Sequence, residues 1–169
     1  NTGSISRYQQ TGGTLICPTV SSTSTTSAPF SMDVAGSSLI VTGGVIVLQR
    51  EGGSGAQNLG YNTSGVTSSS VTGGTLQIGD GSTPTGQTFL INALVPIGNL
   101  LINSPNATAQ LTGNALVVRS GVTLSSGALN AGGRNITFGG NWLNSGGTFI
   151  PTGSTVTANG ANQSITTNG

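Results

Sequence analysis

A short unit recurs along this chain: a pair of glycines, then at once a run of β-branched and aliphatic residues. Thr11-Gly12-Gly13-Thr14-Leu15-Ile16, Thr42-Gly43-Gly44-Val45-Ile46-Val47 and Thr72-Gly73-Gly74-Thr75-Leu76-Gln77-Ile78 carry it, and Gly132-Gly133-Arg134-Asn135-Ile136-Thr137-Phe138 is a looser copy. Glycine reaches the φ > 0 conformations of tight turns at little steric cost. β-Branched side chains favour extended backbone. The unit therefore predicts a short strand entered through a sharp bend. It argues against helix, because glycine interrupts every stretch long enough to form one.

Alternation supports strands with one buried face at Leu76-x-Ile78, Phe89-x-Ile91, Val122-x-Leu124 and Ile136-x-Phe138. From Leu100 onward the apolar clusters follow one another at intervals of about six to ten residues, with Asn, Gly or Ser between them. Such spacing fits a β-sandwich, a barrel or a β-solenoid. Sandwich strands usually run to about five or six residues, and most runs here are shorter. The reading is therefore all-β: a parallel β-helix (β-solenoid), right-handed or a close variant, of short strands joined by Gly/Asn/Ser-rich turns. Each coil would take roughly 18–25 residues, giving about seven coils. Its core would comprise Leu15, Ile16, Ile40, Ile46, Leu48, Leu76, Ile78, Phe89, Ile91, Leu100, Ile102, Leu116, Val118, Val122, Leu124, Ile136, Phe138, Phe149, Val156 and Ile165. Residues 1–169 are read as a single solenoid domain with a loop excursion around 50–70, and the low-complexity run Ser21 to Ser27 as a polar strand face or exposed loop.

Charge narrows the function classes. Of 169 residues, 4% are charged: Arg7, Arg50, Arg119 and Arg134 against Asp33, Glu51 and Asp80, with no His and no Lys. An average soluble domain carries about 25%. A net charge of +1 leaves no broad electrostatic footprint for nucleic acid. No run of about 20 apolar residues is present to span a membrane, and the N-terminus lacks signal-peptide form, so the chain reads as a mature or excised piece, or as one never secreted by that route. Triads that need His and dyads that need Lys are excluded. Asp33, Glu51 and Asp80 could serve paired-carboxylate cleavage of a polysaccharide only if the fold brought two of them within about 5–10 Å. Gly79-Asp80-Gly81 is faintly like a Ca²⁺-binding β-roll, which needs Asp in every turn. No cofactor is expected, and no enzymatic activity.

Binding is harder to dismiss. Tyr61 and Trp142 are the aromatic candidates for contact with a glycan if their faces are open; packed rings would mark them as scaffold. Asn-x-Ser/Thr triplets stand at Asn62, Asn106, Asn135 and Asn162, candidate glycosylation sites that this composition also produces by itself. Thr155-Val156-Thr157 matches the row of an ice-binding face, but no ladder of it recurs. Cys17 has no intramolecular partner; it reads as a buried thiol or an intermolecular bridge.

From Gly73 to Gly169 the order of these motifs (Gly-Gly-Thr-Leu-Gln-Ile-Gly-Asp-Gly; Pro96-Ile97-Gly98-Asn99-Leu100-Leu101-Ile102; Gly121-Val122-Thr123-Leu124; Gly139-Gly140-Asn141-Trp142; Gly146-Gly147-Thr148-Phe149) resembles the adhesin-like β-helical repeat regions of large secreted bacterial surface proteins of the Bacteroidetes type. More distantly it is similar to filamentous haemagglutinin and autotransporter β-helices. The resemblance covers a little over half the chain. It implies an extracellular or cell-surface location in a bacterium and carries over no catalytic residues. Neither end has a charged or helical cap, so strand edges stay open to pairing. The expected role is a non-enzymatic structural protein, a subunit or stalk segment of a surface fibre or matrix that self-associates head to tail. The alternative is a carbohydrate-binding adhesin module of a larger surface protein, with cell-surface or matrix glycans as partners.

Overall fold

The computed structural model describes residues 4–18, 28–52 and 59–167. These residues are all-β, without a helix, and every strand pairing among them is parallel. The Ser21 to Ser27 run lies outside them.

The strands fall into successive tiers. The first holds β1 (Arg7–Gln10), β2 (Thr14–Cys17) and β3 (Phe30–Ser31); the second β4 (Ser37–Val41), β5 (Val45–Leu48) and β6 (Leu59–Asn62); the third β7 (Val66–Val71), β8 (Thr75–Ile78) and β9 (Gln87–Asn92). The fourth consists of the two halves of β10 (Asn99–Leu111). The fifth holds β11 (Leu116–Val118) and both halves of β12 (Val122–Asn130). The sixth contains β13 (Ile136–Phe138), β14 (Trp142–Asn144) and β15 (Thr148–Ile150), and the seventh β16 (Val156–Ala158) and β17 (Ile165–Thr166). Each strand pairs with its counterpart in the next tier, giving a sheet β1-β4-β7, a sheet β11-β13-β16 and an eleven-stranded sheet containing the rest. Of the segment read as an excursion around 50–70, residues 59–62 and 66–71 are strands β6 and β7, and residues 53–58 lie outside the description.

Register converts the sequence alternation into columns. Leu15, Ile46, Leu76, Leu100, Val122, Trp142 and Ile165 lie beside one another in order through seven tiers. Cys17, Leu48, Ile78, Ile102, Leu124 and Asn144 form a second column; Phe89, Ala109, Leu129 and Phe149 form a third. All three feed one apolar core. Because side chains alternate faces along a strand, neighbours of these columns point out. Ile16, read as core, lies between Leu15 and Cys17 and is 50% exposed. Ile40 is only half-buried between the buried Leu39 and Val41. Val156 and Ile165 do occupy inward columns, yet they are 37% and 64% exposed because among the described residues no tier covers them.

Tier length departs from the expected coil. Tyr8 lies beside Leu39 and Phe30 beside Tyr61, an offset of 31 residues; Tyr61 lies beside Ile91, an offset of 30. Ala109 to Leu129 and Leu129 to Phe149 are offsets of 20. The difference lies at one corner, between the second and third strands of the tier: residues 79–86 form it in the third tier, against 103–106, 125–127 and 145–147 afterwards, while the intervening segments of the first two tiers, 18–29 and 49–58, lie partly outside the description. The other corner is where the glycine pairs stack. Gly44 adopts φ +82°, and a Cβ there would meet the carbonyl oxygens of Gly12 and Gly13 at 2.6 Å, so only glycine closes that bend.

Polar side chains hold the tiers in line. Asn92 donates from Nδ2 to Asn62 Oδ1 at 3.3 Å and accepts from Asn114 Nδ2 at 3.0 Å. Asn99 donates to the Gly74 carbonyl at 3.0 Å and accepts from Gly121 N–H at 3.1 Å. Each amide bridges adjacent tiers from a corner, as corner asparagines are expected to do.

Candidate functional site

Two concave features stand out on this scaffold. The first is apolar and lies at the seventh tier. Phe138, Trp142, Phe149, Val156 and Ile165 line a cavity of about 290 Å³. Trp142 packs against Phe138 and Phe149 with ring centroids 5.5 and 5.1 Å away. The outer edges of β15, β16 and β17 carry no partner strand among the described residues. At the other end the outer edges of β1, β2 and β3 are equally unpaired, and half-buried Tyr8, Leu15 and Cys17 pack onto the core there. Gln10 closes part of this end: its Nε2 donates to the carbonyls of Gly13 and Val45 at 3.2 Å.

The second feature is a polar groove of about 410 Å³ on the side of the molecule, lined by Ser69, Ser70, Val71, Thr72, Arg119 and Ser120. It lies where the β1-β4-β7 sheet stops and the β11-β13-β16 sheet begins. In the fourth tier the chain crosses this position at residues 93–98 without forming a strand, and touches the next tier through a single bridge, Ile97 to Val118. Arg119 is exposed at the rim. These residues were not candidates on sequence. The signal was present in Val66-Thr67-Ser68-Ser69-Ser70-Val71, where serine takes the inward register position held by Leu39 one tier earlier.

The aromatic candidates are packed. Tyr61 is 2% exposed and stacks on Phe30, with centroids 5.1 Å apart and planes 9° apart, while Tyr8 meets Phe30 edge-on at 5.1 Å. Burial, with a smaller contribution from Tyr8, pushes the Tyr61 hydroxyl well above its ordinary range. Burial also raises Tyr8, with a smaller contribution from Cys17, and raises the half-buried Cys17 thiol. Cys17 heads an aliphatic column above Leu48 and is a poor nucleophile in that setting. Trp142 is 5% exposed; its indole belongs to the terminal cavity.

Two of the three acids are occupied locally. Asp80 accepts from Gln49 Nε2 at 2.6 Å and from Ser82 N–H at 2.8 Å. Glu51 accepts from Thr88 N–H at 2.5 Å, and its own N–H donates to Gln87 Oε1 at 3.1 Å. Asp33 is exposed on the turn before β4. Among the described residues no three His, Cys, Asp or Glu side chains converge as metal ligands, and no helix is long and apolar enough to cross a membrane.

The four glycosylation candidates differ in access. Asn62 is 6% exposed and its Oδ1 accepts from Ser64 N–H at 3.1 Å as well as from Asn92. Asn106 is half-buried and donates to the Thr83 carbonyl at 2.9 Å. Asn135 and Asn162 are exposed; Asn135 Oδ1 accepts from Thr155 N–H at 2.9 Å. Compared with known proteins, the chain matches no family model, no curated protein and no solved structure.

Proposed function

We propose that this chain is a parallel β-solenoid that serves as a non-enzymatic structural segment of a bacterial surface fibre or extracellular matrix, stacking end to end with copies of itself. The observation that carries the reading is the match between its two ends. Among the described residues the first tier offers three unpaired strand edges, and the last strands of the three sheet positions, β15, β16 and β17, offer three more, around an apolar cavity. An open parallel edge is a template for another strand. A head-to-tail contact that uses different surfaces on the two copies continues as a filament unless its rotation closes a ring. Support for a structural role comes also from the chemistry: Glu51 and Asp80 are engaged in fastening corners, and the Tyr61 and Trp142 rings are engaged in packing. The paired-edge column continues across such a junction, with Tyr8, Leu15 and Cys17 meeting Val156, Ile165 and the aromatic cavity.

Electron microscopy of the purified chain, with light scattering across a concentration range, tests this. Unbranched fibres with an axial spacing near ~4.8 Å are expected, and Ile165→Arg, which places a charge on an exposed side chain of the cavity rim, should leave the circular dichroism unchanged and abolish the fibres. A monomer that persists at high concentration would overturn the reading.

A further inference from the structure

The lateral groove is carried by a separate set of observations. Thr72 N–H donates to the Val41 carbonyl at 3.0 Å. Alternation along the strand therefore turns the main-chain groups of Ser68, Ser70 and Thr72 toward β4, and those of Ser69 and Val71 away from it. On that outer side the fourth tier supplies no strand. Ile97 is committed to the fifth tier, its N–H donating to the Val117 carbonyl at 3.0 Å and its carbonyl accepting from Arg119 N–H at 2.8 Å. The outward main-chain groups of Ser69 and Val71 consequently have no hydrogen-bond partner among the described residues. β7 and β11 stand two tiers apart, the fourth tier crosses there by the short stretch 93–98, and none of those residues lines the groove. Ser69 lies beside Leu39 in register, at a core-facing position, and is nevertheless exposed. The edge of β7 is thus a strand already in extended conformation, with unsatisfied donors and acceptors and no aliphatic cover.

Charge selects the occupant. Arg119 makes no ion pair among the described residues, and two of the three acids, Glu51 and Asp80, are engaged at the long corner. No aromatic ring lines the groove, so a sugar finds no stacking platform there. A main chain does find one, because strand addition draws affinity from backbone hydrogen bonds at an open edge.

We propose that this groove binds an extended acidic peptide segment, which adds as a strand on the outer edge of β7 and sets a carboxylate against Arg119. The probe is a fluorescein-labelled pentapeptide of alternating threonine and valine around a central aspartate, titrated into the full chain by anisotropy, with amide shifts followed by NMR. Saturable binding is expected, with shifts concentrated from Ser68 to Thr72 and at Arg119. Arg119→Gln should weaken it about two- to fivefold, the range of an exposed charge pair, without changing the melting temperature, because the side chain is exposed and unpaired. An asparagine-centred probe should lose the same factor, and a probe N-methylated on its main chain should not bind. Equal binding of the N-methylated probe, shifts elsewhere on the chain, or displacement of the peptide by an acidic oligosaccharide such as oligogalacturonate would each overturn the proposal.

Discussion

The first three tiers and the last four share a core and differ at one corner. In both regions the inward columns pass without a break: Ile46 and Leu76 in the long tiers continue into Leu100, Val122 and Trp142 in the short ones. The step from one tier to the next nevertheless falls from 31 residues to 20. The fold is therefore specified by what lies beside what in the columns, and the length of chain between two columns is free. The two regions close the variable corner by different means. In the short tiers one side chain suffices, as where Asn144 Oδ1 accepts from Gly146 and Gly147 N–H at 3.3 and 2.9 Å. In the long tiers the corners fasten to the next tier's corner, Gln49 to Asp80 within the long region and Thr83 to Asn106 of the short fourth tier. The junction between regions has its own consequence: there one sheet ends before the next begins, and the groove at β7 opens.

If the core is common, equivalent truncations in the two regions should cost the same. Phe89 is fully buried in a long tier and Phe138 is 1% exposed in a short one. Phe89→Ala and Phe138→Ala should each destabilise the chain by about 3–5 kcal/mol, as buried aromatic truncations do, within one cooperative urea transition. Two separated transitions, or a Phe89→Ala effect near zero with Phe138→Ala intact, would show that the long tiers form a unit of their own and would break the comparison.

Much of this was legible in the residues, and the limits were physical. The Thr-Gly-Gly units at Gly12, Gly43 and Gly73 mark the same corner in three successive tiers, and the alternations at Leu76, Phe89, Val122 and Ile136 chose the inward face correctly. Runs without alternation did not choose it: Leu15-Ile16-Cys17 and Leu39-Ile40-Val41 are apolar on both faces, and only register decides that Ile16 points out. The longer corners were hidden because their polar residues look alike whether they lie in a strand face or a loop. The groove was hidden for another reason. A serine in an inward position reads as a polar strand until the missing neighbour in the next tier is seen.

The regions should also respond differently to alkali. A buried titratable aromatic, Tyr61, lies in the long tiers, whereas the aromatic cluster of the short tiers is Phe138, Trp142 and Phe149. An unfolded tyrosine ionises near ~10. The folded Tyr61 holds its proton to higher pH because it is buried. The folded state then binds more protons than the unfolded one above that value, so the contribution is complete below pH ~10 and is lost as pH rises toward the folded pKa, with a slope of up to about 1.4 kcal/mol per pH unit. Urea midpoints measured from pH 7 to 11.5 should fall only at the alkaline end, and Tyr61→Phe should flatten most of the fall, leaving the smaller part due to Tyr8 and the Cys17 thiol, both of which burial also raises. An unchanged alkaline fall in Tyr61→Phe would move the sensitive group out of this stack.

The smallest effect is expected where the regions differ most visibly. Replacing the corner 79–86 with the Ser125-Ser126-Gly127 turn of the fifth tier converts a long tier toward a short one. The exchange removes the Asp80 contact with Gln49 and the Thr83 contact with Asn106, each worth about 1 kcal/mol. It also shortens a loop whose closure entropy changes by only about 0.6 kcal/mol per doubling of length. These terms oppose one another, and the net change in urea stability should stay within about 1 kcal/mol with an unaltered m-value. A loss several times larger would mean that the corner positions β8 and β9, and that the columns alone do not fix the tier. A change near zero, together with full retention of the parallel-sheet circular dichroism, would mean that these corners can be rebuilt in sequence and length while the columns beneath them stay in register.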